Sequence, residues 1–100
     1  MGGVIGSFRH RGTEDVFDGR ASRAARMACP EVLWRGARRK LDQIHRVDRL
    51  DDLTVPPGNQ LERLKGDRAG LHSIRINDQF RICFRWEAGN AYDVEITDYH

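Results

Sequence analysis

Long apolar runs, cysteine and lysine are what this 100-residue sequence has least of. No stretch approaches the roughly 18 to 20 apolar residues of a bilayer-spanning helix. The apolar part of "MGGVIGSFRH" is too short for the core of a secretory signal. The chain therefore reads as cytoplasmic, with no membrane partner. Its two cysteines, Cys29 and Cys83, stand far apart with no CxxC and no neighbouring His pair. That excludes a disulfide framework and a thiolate zinc site, and leaves two packing thiols. His10, His45, His72 and His100 are equally scattered, without HxH or HxxxH spacing, so neither a metal nor another cofactor is expected. His10 and His45 read as surface residues and His72 as a core or boundary residue. Chain length allows a single domain, residues 1–100, with one modest core.

Charge is plentiful and unevenly placed. The net value is only +2, yet Arg20 to Arg49 holds nine basic residues against three acids, an excess of six positive charges. Fifteen of the seventeen basic residues are arginine, whose planar fork suits phosphate and carboxylate alike. Nucleic acid and an acidic protein partner both fit, and so does a solvated helix face.

The pattern divides into a helical front and a stranded back. "VIGSFRH" (Val4 to His10) reads as a short opening strand. In "TEDVFDG", Thr13 is the expected N-cap, Glu14 and Asp15 suit the first helical turn, and Gly19 stops the helix. Ala21 to Ala28 is Arg- and Ala-rich and helical in composition, and Pro30 opens the next helix. From Glu31 to Val47, Leu33, Ala37, Leu41 and Ile44 recur at helical spacing, with Arg35, Arg39, Asp42 and Arg46 on the opposite side. "DDLTVPPGNQ" reads as an extended, turn-rich connector.

Beyond it the period changes to two. Leu61 to Leu64 forms one strand and "KGDRAG" a loop. In "LHSIRI", His72, Ile74 and Ile76 oppose Ser73 and Arg75, and "ND" then turns the chain. Phe80, Ile82, Phe84 and Trp86 oppose Arg81, Cys83 and Arg85. "EAGN" makes a hairpin, after which Tyr92, Val94 and Ile96 oppose Ala91, Asp93, Glu95 and Thr97. The predicted class is α+β, with helices covering one face of the sheet. The other face stays open, carrying Arg75, Arg81 and Arg85 beside Asp93, Glu95 and Thr97, and Tyr99 if the alternation continues. Cross-strand ion pairing is the ordinary use of such arginines.

If the ligand is RNA, cleavage without a metal needs a base at the 2′-hydroxyl, an acid at the leaving 5′-oxygen and cations around the phosphate. Glu62, Asp98, Tyr99 and His100 are available proton carriers or orienters, and Lys65, Arg68 and Arg81 are available cations. Lys65 is one of only two lysines and sits in the glycine-flanked "LKGDRAG". On residues alone, a closing "DYH" equally describes a frayed tail, and Lys-Gly-Asp an ordinary turn.

"LERLKGDRAGLHSIRINDQFRICFRW" followed by "YDVEITDYH", with the opening "IGSFRHRGTEDVF", resembles the HigB branch of the RelE/ParE toxin superfamily, the toxins of bacterial toxin-antitoxin modules. The resemblance covers nearly the whole chain. It implies a compact RelE-like domain with an N-terminal strand and helices packed on one face of a mostly antiparallel sheet. It also implies ribosome-dependent, metal-independent cleavage of messenger RNA at the decoding site, leaving a 2′,3′-cyclic phosphate. A HigA-like helix-turn-helix antitoxin is the implied partner, with a heterotetramer as one assembly.

By position, the family's Asp, Tyr and His fall on Asp98, Tyr99 and His100, its loop lysine on Lys65 and its arginine on Arg81. Some members carry a catalytic histidine where this chain has Glu62. On this resemblance His100 exchanges protons, Tyr99 and Asp98 position it, Lys65 and Arg81 stabilise the phosphorane, and Glu62 is the second proton carrier. Arg68 and Arg75 are expected to contact RNA near the site, and Arg38 and Arg39 to meet ribosomal RNA. The alternatives are a ParE-like, non-catalytic inhibitor of DNA gyrase and a degenerate toxin that only binds its antitoxin.

Overall fold

The computed structural model describes residues 4–99. Helices α1 (Arg11–Asp18), α2 (Arg23–Ala28) and α3 (Trp34–Arg46) precede strands β1 (Glu62–Arg63), β2 (Leu71–Arg75), β3 (Phe80–Glu87) and β4 (Asn90–Asp98). The strands form an antiparallel sheet in the order β1-β2-β3-β4. This is the α+β arrangement that the alternating strands and Arg-rich helices predict. Among the described residues no helix is long and apolar enough to cross a membrane.

Helix α3 follows its apolar spacing: Ala37, Leu41 and Ile44 are fully buried, while Arg35, Arg39 and Arg46 are exposed. Its buried side shares one core with Leu53, Ile74, Ile82, Phe84 and Val94. Each such large side chain contributes roughly 1.5–3 kcal/mol through burial. Ser22 caps α2 and ties it to α1, its Oγ accepting the Ala25 N–H (3.0 Å) and donating to the buried Asp15 carboxylate (2.6 Å). Gly19, at φ 79°, ends α1 as expected.

Several sequence expectations need correction. Val4 to His10 is no continuous strand; it touches β4 through parallel bridges at Ile5–Ala91 and Phe8–Val94. The chain then turns into α1 at Arg11, two residues before the expected cap. Thr13 therefore lies inside the helix, where its Oγ1 accepts the buried Ile96 N–H (3.0 Å). The reason is that β4 loses its edge partner after Val94, and the Thr13 hydroxyl answers the next outward N–H.

The connector is packed, not extended. Its turns at Leu50–Thr54 and Pro57–Asn59 bury Leu53 and Asn59 completely. The Asn59 amide donates to the Leu53 carbonyl (3.1 Å) and to the Gln43 side chain (3.0 Å), and its oxygen accepts from Lys40. Burial, then the Arg39 and Arg75 charges, hold the Lys40 ammonium below the usual lysine range. His45, expected on the surface, is half-buried, with Nδ1 accepting the Ile5 N–H (3.1 Å) and its ring 5.4 Å from Phe17.

A bulge in β4 overturns a further expectation, the alternation of β4. Between the Cys83–Glu95 and Arg85–Tyr92 pairs β4 carries one residue more than β3, and Asp93 adopts φ 52°. Alternation therefore shifts: Ala91 joins Val94 and Ile96 in the core, and Tyr92 moves to the other face beneath the Arg85 guanidinium (4.9 Å). Gly6 makes room for it, since a Cβ there would lie 2.5 Å from the Tyr92 ring.

Replacing Thr13 by Val leaves the Ile96 N–H buried without a partner, so it should cost about 1–3 kcal/mol in urea unfolding, and Thr13→Ser should retain most of that stability. Burial pushes the Cys29 thiol from 9.0 up to about 11. Cys29 therefore favours the native state fully below pH 9.0, and this contribution fades as pH rises through about 11. The alkaline decline of stability should be shallower in Cys29→Ala, measured by unfolding at a series of pH values.

Candidate active site

The sheet's outer face is built by cross-strand neighbours that point the same way. Glu62 stands opposite Ser73, Ser73 opposite Cys83, and Arg81 opposite Thr97. This face, expected to be open, is closed at its centre: Ser73 is 0% exposed, Cys83 1%, Arg81 7% and Thr97 9%. Tyr99 and Arg68 lie over Arg81 and Cys83.

Arg81 is the anchor beneath that cover. Its Nε donates to Ser73 Oγ (2.8 Å), and Nη2 donates to the Ser73 carbonyl (3.3 Å) and the Gln60 carbonyl. A buried guanidinium requires such partners, because an unanswered charge there is costly. Its carbon lies 5.9 Å from the Tyr99 ring centre, and that of Arg68 lies 5.8 Å from the same ring. The phenol thus accepts two cations, an attraction between positive charge and aromatic quadrupole. Arg68 also reaches Cys83 Sγ at 3.8 Å. Burial raises the Cys83 thiol above its usual range, with Thr97 and the Arg68 and Arg81 charges acting in the opposite direction.

Tyr99 reaches this position because pairing continues past β4, its N–H donating to the Gln79 carbonyl (2.7 Å). The alternation that brings Tyr99 to the outer face therefore holds, while His100 lies outside the described residues. Asp98 accepts from the Gln79 amide (3.0 Å). Lys65 opens the turn Gly66–Arg68, whose Arg68 N–H returns to the Lys65 carbonyl (3.3 Å). Glu62 and Lys65 are both exposed, and neither side chain has a partner among the described residues. The face thus joins a stacked phenol, a buried cation whose Nη1 has no hydrogen-bond partner among the described residues, an exposed cation and a flanking carboxylate.

Other expected contact residues have other partners or lie on the helix side, although Arg75 stands opposite Arg81 in the sheet. Arg75 is paired with Asp78, and Arg85 with Glu87 and with Asp93 (3.5 Å), so both serve as ordinary ion-pair partners. Arg38 and Arg39 stand on the exposed side of α3, away from the Arg81 cluster, and Arg38 Nε donates to the Val16 carbonyl (3.4 Å). His72 packs on the helix-facing side, 6.0 Å from Phe84; burial, then Arg63, lower its pKa. Sequence reasoning missed Ser73, Gln60 and Gln79. Ser73 shares the parity of Arg81, and Gln79 follows the "ND" turn, so both left a signal; a main-chain carbonyl such as that of Gln60 leaves none.

Residues 6–100 match the family described as the RelE-like toxin of type II toxin-antitoxin system HigB. The chain belongs to this family. It is 43% identical over 53 residues to Toxin HigB-1 of Vibrio cholerae, covering 53% of this chain and 56% of that one. To an uncharacterised protein of Haemophilus influenzae it is 38% identical over 58 residues, covering 58% and 57%. To Endoribonuclease HigB of Proteus vulgaris it is 28% identical over 99 residues, covering 97% and 100%. The matches to the first two span somewhat more than half of those relatives' lengths.

The two cations Arg81 and Lys65 should separate on mutation. Arg81→Lys cannot reproduce the forked contacts and should lose about 1–3 kcal/mol of stability. Lys65→Ala should stay within about 0.5 kcal/mol of wild type in the same urea titration, because nothing in the fold rests on its ammonium.

Proposed function

We propose that this toxin is a ribosome-dependent endoribonuclease that cleaves messenger RNA in the decoding site without a metal. The observation that carries this reading is the Arg81–Tyr99–Arg68 stack on the outer face, with Lys65 one turn away and exposed. Its relative from Proteus vulgaris, named an endoribonuclease, lends support across nearly the full chain.

The chemistry divides among these residues. The 2′-oxygen of the cut nucleotide attacks its own phosphorus, the P–O5′ bond breaks, and a 2′,3′-cyclic phosphate remains. The 2′-hydroxyl proton passes to a base, and the departing 5′-oxygen takes a proton from an acid. His100 and Glu62 are the proton carriers of this scheme. A carboxylate at Glu62 suits the accepting step, since it cannot donate as imidazolium does near neutral pH. Lys65 and Arg68 meet the phosphate oxygens. Arg81, held beneath the phenol, supports the same charge through Nη1 and keeps Tyr99 in place. Asp98 and Tyr99 position His100. Arg38 and Arg39, on the helix side, are solvent-facing cations for ribosomal RNA, with the steep salt dependence of phosphate contacts. The antitoxin partner is of the HigA helix-turn-helix type, with a heterotetramer as one assembly.

Purified protein added to programmed ribosomes should cut the message in the A site. Lys65→Ala should lower the rate about 10²-fold with the fold intact, and His100→Ala should abolish cutting. Translation arrest without cuts, equal in wild type and both variants, would refute the reading. A block of DNA supercoiling would favour gyrase inhibition instead.

A further inference from the structure

Gln79 is used three times around the proposed site. Its own N–H donates to Asn77 Oδ1 (2.9 Å), which also accepts from Phe80 N (2.7 Å) and so fixes the "INDQF" turn. Its side-chain amide donates to Asp98 Oδ2 (3.0 Å), and its carbonyl accepts the Tyr99 N–H (2.7 Å). One residue at the head of β3 thus grips two successive residues of the segment that carries the phenol. Tyr99 remains 41% exposed while lying over two guanidiniums, so no apolar enclosure holds the ring in register. The main-chain and amide bonds of Gln79 are directional contacts that do so, just beyond the Phe80–Asp98 strand pair.

We infer that Gln79 is a positioning residue for the cleavage reaction: it grips Asp98 and Tyr99 and so seats the Tyr99 ring over Arg81 and Arg68. This rests on the proposed nuclease reading. A displacement of the segment by about 1 Å moves the reacting groups out of line and lowers turnover far more than binding.

The amide–carboxylate contact supplies a signature that a packing role lacks. In Gln79→Glu an ionised carboxylate faces Asp98 where a donor stood. Like charges raise the pKa of one of the two, and a shared proton restores a hydrogen bond as pH falls. Activity of Gln79→Glu relative to wild type should therefore climb from about pH 8 to about pH 5.5.

The experiment measures cleavage on programmed ribosomes and amide hydrogen exchange at Tyr99 for wild type, Gln79→Ala and Gln79→Glu. Gln79→Ala should reduce kcat by about one to two orders of magnitude with little change in KM. Its Tyr99 amide should exchange about tenfold faster, while its unfolding midpoint stays close to wild type. Wild-type kcat in Gln79→Ala, or a loss in Gln79→Glu that ignores pH, overturns the assignment. If wild-type protein itself cuts nothing, the nuclease reading fails, and exchange at Tyr99 alone decides whether Gln79 holds the segment: unchanged exchange overturns the tie.

Discussion

A guanidinium placed against the outer face of a sheet must have its donors answered, and the answering of Arg81 organises everything around it. Ser73 brings in β2, the Gln60 carbonyl ties down the approach to β1, and Tyr99 closes the top. Through Tyr99 the same charge governs Arg68, which shares the ring and shields the Cys83 sulfur. The outer face is consequently a layered polar site, with buried donors below and an exposed phenol and cations above. That layering differs from a simple open sheet decorated with arginines, and it explains why Arg81 and Arg85, two residues of one parity, have such different surroundings. Arg85 lies near the strand's far end, where acids at Glu87 and Asp93 neutralise it.

The opposite face provides rigidity. Leu41, Ile44, Ile74, Ile82 and Phe84 form a core that fixes β2 and β3, and hence the register between Ser73 and Arg81. The connector adds to this by burying Leu53 and Asn59, so the chain reaches β1 from a defined direction. Because Gln60 is the last residue of that connector, packing on the helix side is coupled to the carbonyl that Arg81 requires.

Much of this was legible before any coordinates. The 3.6-residue spacing of Ala37, Leu41 and Ile44 and the two-residue alternation of Phe80, Ile82 and Phe84 report burial directly, because a side chain's face follows from its position in a regular element. Alternation carried forward from Arg81 also brings Tyr99 to the correct face. What escaped depends on irregular backbone or on main-chain acceptors. One extra residue at Asp93 exchanges the faces of Ala91 and Tyr92, and no residue pattern marks it. Thr13 has the chemistry of a cap but meets the edge of β4, a choice made by tertiary contact. The burial of Arg81 depends on Gln60, whose contribution is a carbonyl common to every residue. Family resemblance named Lys65, Arg81 and Tyr99 together; the geometry sets Arg81 and Arg68 against the Tyr99 ring and leaves Lys65 exposed.

The account's central claim is that RNA cleavage on this face proceeds by attack of the substrate's own 2′-oxygen. The most direct measurement is cleavage, on programmed ribosomes, of a message carrying a single 2′-deoxy nucleotide immediately 5′ of the mapped cut. The account predicts that this message stays intact at that site while the all-ribose message is cut to a 2′,3′-cyclic phosphate end. Cutting of the deoxy-substituted site at the same rate would contradict it.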